Sequence, residues 1–343
     1  MDFSLTTEQL ELRRMLRDVT ADHCSSSRLR EVMATPSGED PALWKLLASE
    51  LGLLGVAVPE TADGHGGSFV DAAVVIEESG RGLWPVPVVS TLVAIAALDA
   101  STASDLLQAV LSGQWRTAIV VLADATVSGS ALSGQAQHVI GAAGADALVI
   151  AAPDGVYLAA PSSSTTAAGL DPLRRLSTVT FDGSAAERVG DAAASRRAVD
   201  VLRVALAVEA IGVAGWCLDT TVEYLKTREQ FGRAIGSFQA LAHRAADLAV
   251  DLAAATSTAY YAAWAVDGAP EELGVVAPLA KSVCADAAYR IAAETIQMHG
   301  GIGFTWEHDA HLYFKRATAL RTLHGASHEQ RHLVADRAGL FTG

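Results

Sequence analysis

The apolar residues of this chain change period twice along its length. Up to about Leu111 they recur at helical spacing. Thr6 or Thr7 can cap a first helix carrying Leu10, Leu12, Met15 and Leu16. A second helix is predicted over 41–54, with Leu43, Trp44, Leu46, Leu47 and Leu51 on or near one stripe. After the Gly-rich break PETADGHGGS comes a helix through VDAAVVIEESGRGL, closed by Pro85 and Pro87, and more Ala/Leu-rich helix over 90–111. From about Trp115 the pattern becomes short β-prone runs, TAIVVLADA, HVIGAAGADALVIAA, GVYLAA and STVTFDG, separated by Gly, Asp, Ser and Pro. From Ala193 helical spacing returns, first in VLRVALAVEAIGVAGWCLDTTVEYLKTREQFG and then over 238–267, 275–298 and 330–337. The order α, then β, then α predicts a mainly α protein with a central β domain. The divisions fall at 1–114 (N-terminal helical domain), 115–192 (reduced central β domain) and 193–343 (C-terminal helical bundle).

A length of 343 residues is enough for two or three packed units around a sizeable core. Half of the residues are apolar and the mean hydropathy is +0.27, yet no uninterrupted apolar run of about 18 residues occurs, so no membrane span is expected. The surplus Ala, Val and Leu suits buried bundle helices or a subunit interface. A formal net charge of -14 argues against nucleic acid as a partner. It leaves room for an anionic ligand met by a local Arg cluster. The cysteines, Cys24, Cys217 and Cys284, form no C-x-x-C pair, and the charged N-terminal stretch has no apolar core. A reducing cytoplasm is the expected location.

Two long segments carry more specific information: YLKTREQFGRAIGSFQ (224–239) and IQMHGGIGFTWEHDAHLYFKR (296–316). With the looser VPETADGHGGSFVDAAVVIEESGR (58–81), they resemble signature segments of the acyl-CoA dehydrogenase family, flavoproteins that desaturate acyl-CoA thioesters between the α and β carbons. The resemblance runs over nearly the whole chain. It implies an N-terminal helical domain, a middle β domain and a C-terminal four-helix bundle, with FAD as cofactor, an acyl-CoA substrate and an electron-transfer protein as reoxidant. It places Arg228 against a pyrophosphate, where a planar cationic fork is suited. Phe231 packs on an adenine or flavin edge, Gln239 and Gln297 offer amide donors and acceptors, and Gly300 and Gly301 let backbone approach closely. In the family such residues largely serve the flavin of the neighbouring subunit.

The departures are as informative. The β domain lacks the family's Thr-Glu-Pro segment; from Thr117 it reads TAIVVLADATVSGSALSG. His138 stands where a Trp normally faces the flavin. The position of the usual catalytic Glu holds His324, and the alternative base position on the first bundle helix falls near Leu202. Ala326 and His328 replace residues that normally touch the flavin. Motifs that serve a neighbour's flavin are kept, and motifs that serve a subunit's own flavin and chemistry are lost. Some bacterial members, notably those acting on steroid side-chain CoA esters, are heteromers in which one subunit carries the base and the other completes the flavin site. This chain is similar to the second kind. The resemblance therefore implies a heterotetramer, possession of the catalytic Glu by the partner, and no catalytic residue here.

Two alternatives stand beside that expectation: a homo-oligomer using His324 as an unorthodox base, and a flavin-free structural or regulatory partner. A desolvated imidazole is a weaker base, whereas a desolvated carboxylate is a stronger one. His328-Glu329-Gln330-Arg331-His332 matches H-E-x-x-H, and His324, His328 and His332 could line one helical face. The family motif covers the same residues, so no metal is expected. Glu77 and Glu78 read as solvated or locally paired, and Asp219, Glu223 and Glu229 as surface charge.

Overall fold

The computed structural model describes residues 4–98, 103–167 and 169–340. The helical N-terminal part comprises α1 (Thr7–His23), α2 (Ser26–Met33), α3 (Pro41–Lys45), α4 (Phe69–Arg81), α5 (Val88–Ala96) and α6 (Ser104–Leu111). Thr6 caps α1 in a reciprocal box: its hydroxyl accepts the Gln9 N–H, and Gln9 Oε1 accepts the Thr6 N–H at 3.1 Å. The helix expected over 41–54 is shorter and broken. After α3 the backbone widens into a π turn at Leu46–Glu50, and Gly52, at φ 62°, stops it. The single helix expected over 90–111 is two, α5 and α6; its residues 99–102 lie outside the described residues.

The central part holds β1 (Thr117–Val121), β2 (Thr126–Ser128), β3 (Ala131–Ile140), β4 (Ala147–Ala152), β5 (Gly155–Ala159), β6 (Ser163–Ala167) and β7 (Leu176–Asp191). The strand order is β1-β4-β5-β7-β3-β2, with β6 also on β7; β1 and β4 are parallel and the other pairs antiparallel. Alternation divides the strands between two cores. Ala118, Val120, Leu148 and Ile150 join Leu132, Val179 and Phe181 in a core internal to the β domain, while Ile119, Val149, Ala151 and Val156 pack into the helical core. Buried hydroxyls lace the two together. Thr91 Oγ1 donates to Thr117 O at 2.8 Å, and Ser90 Oγ accepts the Ile119 N–H at 3.2 Å.

β7 ends at Asp191, and that residue caps the next helix by accepting the Ala194 N–H at 2.8 Å. The C-terminal part is α7 (Ala192–Thr227), a hairpin of β8 (Glu229–Gln230) and β9 (Arg233–Ala234), α8 (Gln239–Gly268), α9 (Leu273–His299), α10 (Ala310–Thr322) and α11 (Ser327–Arg337). α7 is long and apolar enough to cross a membrane, but 83% of its most apolar window is buried inside the molecule, as befits a central core helix. The fold is that of the expectation: helical N-terminal domain, central β sheet, C-terminal helical domain.

Candidate functional site

Three helix ends converge where α7 stops. Arg228 leaves helical geometry, at φ -75° and ψ 125°, and its carbonyl accepts the Ile235 N–H at 2.8 Å. That bond folds the β8–β9 hairpin back toward the start of α8. Tyr224, in the last turn of α7, stacks on His299 at the end of α9, with ring centroids 4.4 Å apart. Arg244 of α8 pairs with Glu294 of α9 at 2.8 Å. Arg228, Phe231, Gln239, Gln297, Gly300 and Gly301 are therefore brought to one end of the bundle, and all six are exposed.

Local geometry there is costly to the isolated chain. Gln230 pairs with Arg233, so Phe231 and Gly232 are the two central residues of the hairpin turn, at φ 54° and 78°. Positive φ at both is the type I′ arrangement, which favours Asn-Gly. A Phe in that conformation costs about 1 kcal/mol, and its ring is 93% exposed, with Phe238 edge-on at 6.1 Å. Gly300, at φ 63° and ψ -140°, occupies a region closed to residues with a Cβ. Gly301 needs no such freedom, and a Cβ there would meet nothing within 4 Å of its own chain. By contrast, a Cβ on Gly303 would lie 2.8 Å from His299 Cβ and from Ile296 O, so that glycine is explained by packing.

The charges at this end suit an anion. Among the described residues no hydrogen bond or ion pair engages the Arg228 guanidinium, and no side chain caps the N-terminus of the 30-residue α8. Free N–H groups at a helix start, a cation and an open Gly-Gly step at the same bundle end are groups of the chemistry that suits a diphosphate. FAD, the cofactor implied by the resemblance, fits these residues.

Position 324 is different in kind. His324 sits in a left-handed turn at φ 54°, before Gly325 at φ 102°, and its carbonyl accepts from Gln330 Nε2 at 2.8 Å. It lines a cavity of about 500 Å³ with His138, Asp171, Arg174, Thr318 and Thr322. Burial, then the nearby Lys281, Arg203 and His138, push the imidazole down to about 4. Lys281 itself is fully buried and donates to Leu320 O at 2.6 Å; burial lowers it to about 8. Leu202 is buried, and its neighbour Asp200 is held by Arg203 at 2.6 Å and Arg337 at 2.8 Å. Neither base position offers a free carboxylate.

Beside this cavity lies a charged cluster that the sequence reading did not single out. Glu209 of α7, 0% exposed, is clasped by Arg174 of the β6–β7 connection and by Arg316 of α10 at 2.8 Å; Arg316 also donates to Asp171. Burial alone would raise Glu209, but the two guanidinium groups outweigh it and hold the carboxyl below the usual range. The available signal was a lone Glu inside the apolar run ALAVEAIGVAG, since such a charge is buried only when paired.

Other expectations resolve plainly. His328 and His332 lie on exposed positions of α11, while His324 precedes that helix, so the three imidazoles share no helical face. Among the described residues no group of three His, Cys, Asp or Glu side chains is placed to hold a metal. Glu78 is not solvated or locally paired: it is 1% exposed and held by Arg17 of α1 at 3.1 Å. Glu77 meets Arg13 and the Tyr260 hydroxyl. The docking of α1 onto α4 creates those pairs. Asp219, Glu223 and Glu229 are exposed, as expected.

Residues 6–111 match the N-terminal domain of acyl-CoA dehydrogenases and residues 190–339 the C-terminal domain. The chain is 37% identical over 310 residues to the acyl-CoA dehydrogenase IpdE2 of Mycobacterium tuberculosis, covering 90% of this chain and 91% of that protein. Among solved structures, a steroid ACAD variant, Tcur3481–Tcur3483, superposes with a TM-score of 0.90 at 32% identity over 98% of each chain. The ChsE4–ChsE5 complex of Mycobacterium tuberculosis superposes with a TM-score of 0.90 at 25% identity over 99% of each chain.

Proposed function

The chain belongs to the acyl-CoA dehydrogenase family, and from that premise we propose that it is the base-lacking subunit of a heteromeric, FAD-dependent acyl-CoA dehydrogenase. One contrast carries the reading. The bundle end offers an unpartnered Arg228, an uncapped α8 terminus and an open Gly300–Gly301 step, while position 324 offers an imidazole depressed to about 4.

Bound flavin supplies the acceptor for the β-hydride of the thioester. The residues of this chain bind and orient that flavin, which the partner subunit holds for the most part. The Arg228 fork and the α8 N–H groups take the diphosphate. Phe231, pre-set outward by its turn, covers an aromatic edge of the cofactor. Gln239 and Gln297 hydrogen-bond to it, and Gly300 and Gly301 admit its close approach. A carboxylate of the partner would take the α-proton, since burial weakens the His324 imidazole as a base and would strengthen a carboxylate in the same place. An electron-transfer protein would be the reoxidant of the complex. One relative described as a steroid ACAD and another as a two-protein complex support a bulky, steroid-side-chain acyl-CoA as substrate and a heteromeric assembly, which we take to be a heterotetramer of the cytoplasm.

Flavin stoichiometry tests the division of labour. Purified alone, the chain is expected to be colourless; with its partner, one flavin for every two chains is expected. One flavin per chain in a homo-oligomer would overturn the proposal and make His324 the first candidate base. A complex whose flavin content ignores Arg228→Ala would leave only an assembly role. His324→Glu in the isolated chain is expected to give no turnover, since the chain has no platform of its own for flavin and acyl-CoA.

A further inference from the structure

Two histidines that the proposed chemistry does not use meet directly before the Gly300–Gly301 step. His299, 3% exposed, closes α9 directly before Gly300. Its ring stacks on Tyr224 and meets His308 at a tilt, each with a centroid 4.4 Å away. Tyr224 O accepts the Arg228 N–H at 2.8 Å, so one imidazole links the arm carrying Arg228 to the turn that starts at Gly300. The close fit of Gly303 against the Cβ of His299 packs the following turn on the same residue.

The hydrogen bonds fix both tautomers. His299 Nδ1 lies 2.7 Å from Thr295 O, an atom that only accepts, so Nδ1 carries the proton. His308 Nδ1 accepts the Ala310 N–H at 3.0 Å, one of the free donors at the start of α10, so its proton is on Nε2. A proton added to His308 must take Nδ1 and break that bond. A proton added to His299 must take Nε2 and charge a buried ring beside a second imidazole.

The surroundings do not compensate. Asp309 is the nearest carboxylate to His308, and it is already paired with Arg30 of α2 at 2.6 Å. Arg81 of α4 is paired with Asp219 of α7 at 2.7 Å. Cys217 and Trp216 of α7 and Tyr313 of α10 complete the walls; Trp216 stacks on Tyr313 at 3.6 Å and lies 6.4 Å from His308, and burial raises the Cys217 thiol to about 12. His311, one turn along α10, is a further titratable neighbour of Asp309. Among the described residues no carboxylate is hydrogen-bonded to either ring.

We propose that His299 is a positioning residue for the flavin-binding end and that, with His308, it forms an acid-sensitive clamp: neutral, the pair holds Gly300–Gly301 against the Arg228 arm; protonated, it releases them. The proposal rests on the flavin reading above. Burial first, and then mutual repulsion for His308, lower both imidazoles from their ordinary value of 6.5. The released form therefore binds protons first, and the clamp weakens as pH falls below that value.

The test uses the complex with its partner and two readouts. The apparent Kd for FAD is expected to rise about tenfold between pH 7.5 and 5.0. Amide exchange in segment 296–305, corrected for its intrinsic pH dependence, is expected to accelerate by a similar factor. His308→Asn keeps an acceptor for the Ala310 N–H but cannot take the proton; both acid responses are expected to shrink to the part that His299 carries alone. A wild-type segment whose exchange is flat with pH, or an unchanged acid response in His308→Asn, overturns the clamp. Absence of FAD at pH 7.5 defeats the flavin reading instead, and the exchange measurement still decides the clamp.

Discussion

The two halves of the C-terminal bundle handle polar groups in opposite ways. About 37 Å of helix separates Arg203 from Arg228 on α7. Around Arg203, charge is answered within the chain: Glu209 has two arginines, Arg203 meets Asp200 and Gln330, and Lys281 donates to a carbonyl. Around Arg228, the guanidinium is unpartnered, a helix starts uncapped, and a phenylalanine holds a strained, solvent-facing turn. A polar group answered by its own chain serves the fold. An exposed cation beside a phenylalanine held in a strained, solvent-facing turn is open to a partner outside the chain. The contrast separates a half of the bundle that stabilises from a half that receives.

The largest expected effect lies in the stabilising half. Glu209→Ala leaves Arg174 and Arg316 buried without a counter-charge and is expected to cost about 3–5 kcal/mol in denaturant unfolding. A loss under about 1 kcal/mol would mean that water reaches those guanidinium groups and that the division is less sharp. Next comes the receiving half. Arg228→Ala is expected to leave chain stability within about 0.5 kcal/mol, as exposed sites do, while weakening FAD binding by the complex roughly 30–100-fold. Arg228→Lys should recover only part, because an ammonium lacks the planar fork. If Arg228→Ala instead destabilises the chain and spares FAD, the arginine belongs to the fold. The smallest effect is the most discriminating. Phe231→Asn gives the hairpin turn the residue it favours and is expected to stabilise the chain by about 1 kcal/mol while weakening FAD binding. A variant that gains stability and loses no flavin would remove Phe231 from the site.

Much of the architecture was legible because periodicity switches where the fold switches. The β-prone runs from Trp115 and the return of helical spacing at Ala193 correspond to β1–β7 and to α7. The receiving residues were named from motif resemblance, and the folded chain places them at one end of the bundle. What the sequence hid depends on which surface covers which. Glu78 sits on an amphipathic helix and reads as solvated until Arg17, 61 positions away, docks over it. His299 and His308 have no helical spacing; the turn through Gly300–Phe304 folds one ring onto the other. The π turn at Leu46–Glu50 carries no recognisable residue signature.

β7 and α7 share a consequence beyond topology. The strand is 16 residues long and pairs with β3, β5 and β6, and its last residue is the cap of a 36-residue core helix. No linker intervenes, so β domain and bundle are joined by one stiff spar rather than a hinge. The wall of the 324 cavity cannot swing away from the bundle without fraying α7 at its cap. A protease meets no seam at that junction, and heat or denaturant must dismantle strand and helix as a single cooperative unit.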